Sequence, residues 1–85
     1  MADEFPLYNK NMTGEPLRTL RFLLARLERI SADSVVAHRA SGVRGAMLRA
    51  LEQLESGRPV SGQKMKRLID EGYLLLEKAA AEKVR

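Results

Sequence analysis

The sequence predicts an all-α fold: a three-helix bundle with helices over roughly 16–30, 34–55 and 62–83, behind an extended N-terminal lead-in. Three observations point there. Apolar residues recur at spacings of three and four along three segments, which is the period of a helix with one buried face. Those segments are separated by two clusters of capping and breaking residues, Ser31-Ala32-Asp33-Ser34 and Glu55-Ser56-Gly57-Arg58-Pro59. No segment longer than a few residues alternates apolar and polar as a half-buried strand would.

The first helix is announced by Thr13-Gly14-Glu15-Pro16, which offers a capping hydroxyl, an acid near the positive end of the dipole and a proline preset for the first turn. Leu17, Leu20, Leu24 and Leu27 follow at spacings of three, four and three, with Leu23 and Ile30 widening the stripe. Arg18, Arg21, Arg26 and Arg29 fall on the other side, within an arc of about 140° at about 100° per residue. Phe22 lies on that arginine side or at its edge, where an apolar stripe does not account for it.

The second helix carries Val36, Ala40, Val43, Met47, Ala50 and Leu54 at alternating spacings of four and three, a heptad seam. It is small-sided, because Ala37, Ala40, Ser41, Gly42, Gly45 and Ala46 leave room for another backbone. Each glycine inside a helix costs about 1 kcal/mol relative to alanine, so Gly42 and Gly45 either allow close packing or mark a bend. The stripe stays in phase through both, which favours one long helix. Ala40, Gly42, Gly45, Ala46 and Met47 are therefore the expected helix–helix contact.

Gly57 followed by Pro59 is a stop signal, and Ser61 is placed to cap the third helix. Met65, Leu68, Ile69, Tyr73, Leu75, Leu76, Ala79 and Ala80 supply its apolar face. Lys64, Lys66 and Arg67 crowd its start, where positive charge opposes the dipole. Residues 1–12 show no period and read as a flexible or extended segment. Within them Phe5-Pro6-Leu7-Tyr8 is an extended apolar patch expected to pack back on a single helical domain, 13–85.

With 85 residues the chain is near the size at which one core barely sustains itself, so helix pairing or oligomerisation is expected. It has no cysteine, which excludes a disulfide framework, a thiolate zinc site and a cysteine nucleophile. The start lacks the basic-then-apolar order of a secretory signal, and no apolar run approaches the ~18 residues of a membrane span. An intracellular protein, cytoplasmic or nuclear, with no membrane span is the expectation.

The single histidine, His38, has no second imidazole to join it in holding a metal. Serines 31, 34, 41, 56 and 61 mostly sit where hydroxyls cap helices. Glu52 with Glu55 and Asp70 with Glu71 read as solvated pairs. Gly42-Val43-Arg44-Gly45 lacks both the lysine and the preceding strand of a phosphate loop. No catalytic, cofactor or metal site is expected, and the chain reads as a non-enzyme.

The formal charge of +4 is concentrated in residues 16–67, which hold eleven bases against four acids, and ten of the fifteen bases are arginine. Arginine suits bidentate contact with carboxylate or phosphate. Val35, Leu23, Leu48, Leu51 and Leu74 lie outside the tightest seams, so there is more apolar surface than a minimal bundle needs. These features predict a protein–protein interaction or assembly module: a homo-oligomer, or a small subunit or adaptor whose Arg18, Arg21, Arg26 and Arg29 steer an acidic protein partner. The alternative is a basic nucleic-acid-binding protein. Val36-Ala37, Ala40, Gly42-Val43, Met47 and Ala50 loosely resemble helix-turn-helix spacing, with Arg39, Arg44, Arg49, Lys64, Lys66 and Arg67 as contacts. Against it, Arg39, Arg44 and Arg49 advance by about 140° each and scatter round the helix.

Overall fold

The computed structural model describes residues 7–8 and 14–83. Three helices form a bundle: α1 (Glu15–Leu27), α2 (Ala37–Glu55) and α3 (Gly62–Lys83). Two strands of two residues each, β1 (Leu7–Tyr8) and β2 (Val60–Ser61), pair antiparallel, Leu7 with Ser61 and Tyr8 with Val60. The lead-in is thus joined to the turn before α3 at its two described residues. A pairing this short leaves no period in the sequence, which is why no strand was expected.

α1 starts after Gly14, whose φ of 122° is left-handed and whose carbonyl accepts the first helical bond from the Arg18 N–H at 3.1 Å. The expected cap at Thr13 lies outside the described residues. The α-helix stops at Leu27, short of the expected 30. Bonds from Arg29 N–H to Arg26 and from Ile30 N–H to Leu27 then tighten the chain into a final turn through Ile30.

α2 begins three residues later than its capping signal at Ser34 suggests. Ser34 instead closes a turn: its Oγ accepts the Val36 N–H at 3.1 Å and donates to Glu82 Oε2 at 3.0 Å, tying the α1–α2 loop to the far end of α3. No side chain caps the start of α2. Replacing Ser34 by alanine removes both bonds and is expected to cost about 1 kcal/mol, read as a lower urea midpoint at unchanged slope. An unchanged midpoint would mean that water replaces the hydroxyl without loss.

α2 then runs unbroken through Gly42 and Gly45. Val36, Ala40, Met47, Ala50 and Leu54 are buried and Val43 partly so, as the heptad requires. It ends where the stop signal stands. Gly57 has φ 86°, its N–H donates to Leu54 O, and the Arg58 N–H donates to Gln53 O, a six-to-one and five-to-two pair that satisfies the last carbonyls. α3 is capped as expected, with Ser61 Oγ accepting the Lys64 N–H at 3.1 Å.

The core is apolar throughout the described residues, with no buried polar or charged side chain. Leu20, Leu23, Met47, Met65, Leu75 and Val60 are fully enclosed. Leu23 and Leu51, outside the tightest seams of the sequence, complete this core, whereas Val35, Leu48 and Leu74 stay exposed. Among the described glycines, Gly72 of α3 is the one packed tightly against other helices. A Cβ there would lie 2.9 Å from Met47 Cε and 3.1 Å from Leu23 Cδ1. By contrast a Cβ at Gly42 meets nothing within 4 Å, and one at Gly45 meets only the Arg49 side chain at 3.5 Å. The glycines of the small-sided helix therefore do not serve close packing within this chain.

α3 carries two parallel stripes, each spaced three, four, three, four. Met65, Leu68, Gly72, Leu75 and Ala79 face the core, the first four of them buried. Lys66, Ile69, Tyr73, Leu76 and Ala80 lie one position further round, with Tyr73 and Ala80 exposed rather than in the apolar face where the sequence reading put them. No described helix is long and apolar enough to cross a membrane.

Candidate interaction surface

The outer face of α1 is set by the leucines on its other side. Burying Leu20, Leu23 and Leu27 turns Arg18, Arg21, Arg26 and Arg29 to solvent, and all four are exposed. Among the described residues none of them has a carboxylate within ion-pair distance; the pairs present are Arg39 with Glu71 and Lys66 with Asp70. Glu15 stands inside the arc at its start and Glu28 borders it, so positive charge strengthens towards the middle. Phe22 occupies that middle, 52% exposed, with the Arg26 guanidinium carbon 5.9 Å from its ring centroid. At an exposed site such a cation–π contact contributes about 0.5–1 kcal/mol towards this arrangement of the two groups.

The same face continues onto α3. α1 and α3 run parallel, so Pro16 and Thr19 meet Met65, Lys66, Ile69 and Tyr73 around a cleft of about 440 Å³ at one end. At the other end Arg26, Arg29 and Ile30 meet Leu76, Ala79 and Ala80 around a cleft of about 620 Å³, whose rim includes Ser34 and Glu82. Phe22 lines neither cleft; about 60° from Thr19 and about 40° from Arg26 round α1, it borders this seam on its outer side. Tyr73, 48% exposed, opens onto it from α3.

Comparison with protein-family models, curated proteins and solved structures finds no match. The surface must be read from its own chemistry.

The other predicted residues are dispersed. Ala40 and Met47 belong to the core. Gly42 and Ala46 line an open cleft between α2 and α3 with Val43, Leu68 and Arg67, and Gly45 lies beside Arg49. Arg39 donates to Glu71 across the α2–α3 boundary, and that bond, with the opposite charge behind it, raises the Arg39 pKa further above its ordinary value. A base raised in this way contributes its stability below its unfolded pKa, so the guanidinium stays charged at any pH the fold experiences. Arg44 faces α1 beside Leu27 and Glu28, and Lys66 is held by Asp70 at 2.6 Å. The residues named for nucleic-acid contact thus point to several sides. The turn of a helix-turn-helix at Gly42–Gly45 is absent, since α2 continues through it.

The described residues contain no group of three His, Cys, Asp or Glu placed to hold a metal ion. His38 is exposed. What the sequence reading missed is the α3 half of the seam. The signal was present in the second stripe: Lys66, seven residues before Tyr73, marks that line as reaching solvent.

Proposed function

We propose that this protein is a non-catalytic protein–protein interaction or assembly module, acting inside the cell, whose contact surface is the α1–α3 seam. The observation that carries this reading is the half-exposure of Phe22 and Tyr73 along one seam, Tyr73 lining one of its clefts and Phe22 standing beside Arg26, which lines the other. Aromatic residues and arginine are the types enriched at interface centres, and each aromatic would bury a large apolar area when covered. The nucleic-acid reading has less support, because the basic residues of α2 and α3 form no single comb and two of them are already paired.

Photo-crosslinking tests it directly. Benzoylphenylalanine placed at position 22 of the full chain, irradiated in cells, is expected to give an adduct removed by protease but not by nuclease. The same probe at exposed Gln63, on another side of α3, should give far less. A nuclease-sensitive adduct, or equal yields at the two positions, would overturn the proposal. Sedimentation at several concentrations then tells a second copy from a different protein.

A further inference from the structure

We draw no further inference here: the strongest candidate, the pair of open clefts along the α1–α3 seam, carries nothing beyond the surface already described, because Glu15, Asp33 and Glu82 line them in equal number with Arg26, Arg29 and Lys66 and nothing in the structure shows what covers them.

Discussion

Replacing Gly72 by valine is expected to destabilise the protein by about 3 kcal/mol, lowering its melting temperature by roughly 12–24 °C. The position is crowded by side chains of both other helices. The first added carbon already falls 2.9 Å from Met47 Cε and 3.1 Å from Leu23 Cδ1, and both residues are fully buried. Valine's two methyls must displace them in a core packed near crystal density. Gly72→Ala is the informative intermediate. It gains about 1 kcal/mol of helix propensity and needs the Met47 thioether to swing aside, so its net effect should be close to zero. A second-site test fixes the cause. Met47→Ala alone leaves a cavity and costs about 2–5 kcal/mol, but combined with Gly72→Val it vacates the space the methyls need. The double variant should then be at least about 1 kcal/mol more stable than the sum of the singles predicts. Strict additivity in urea denaturation would show that Gly72 is not packed against Met47. For a domain of this length total stability is on the order of 4–13 kcal/mol, so Gly72→Val removes a large share of it.

Why Gly72 escaped the sequence reading bears on how much of this fold was legible. The three amphipathic helices were, because leucine spacing in α1 and the heptad of α2 have no other economical explanation. The end of α2 was legible too, since Gly57 and Pro59 allow few alternatives to a left-handed cap. In α3 the period could not choose between Met65-Leu68-Gly72-Leu75-Ala79 and Lys66-Ile69-Tyr73-Leu76-Ala80, which have identical spacing and similar apolar content. Hydrophobicity alone favours Tyr73 over Gly72 for the core. Packing reverses that order, because three helices meet where Leu23 and Met47 already fill the space. The same ambiguity divided the candidate surface. The arginines of α1 could be placed from sequence, since six apolar residues fix the opposite side, whereas the α3 half depended on which stripe turned inward. The loop at Ser34 was misread for another reason: its partner Glu82 is 48 residues away, and no local signal reports it.

Gly42→Ala together with Gly45→Ala is expected to stabilise the isolated protein by about 2 kcal/mol, raising the melting temperature by roughly 8–16 °C. Both glycines stand inside a continuous helix with ordinary helical φ, so each forfeits about 1 kcal/mol relative to alanine without a strained backbone to require it. Nothing in the chain stands in the way: a Cβ at 42 meets open space, and one at 45 rests against Arg49 Nη1 at 3.5 Å, an ordinary contact. This is the opposite sign from Gly72, although all three are mid-helix glycines, and the difference is purely one of neighbours. A melting temperature unchanged or lowered would mean that the α2–α3 cleft closes more tightly in solution than its open lining of Gly42, Val43, Ala46 and Leu68 indicates. The same variant also probes the small-sided face of α2 as a contact. If crosslinking from position 22 is unaffected by the two alanines, the α1–α3 seam acts independently of that face. If it is lost while stability rises, a partner backbone must approach α2 within the reach of a methyl group, and the glycines serve a contact that the isolated chain does not make.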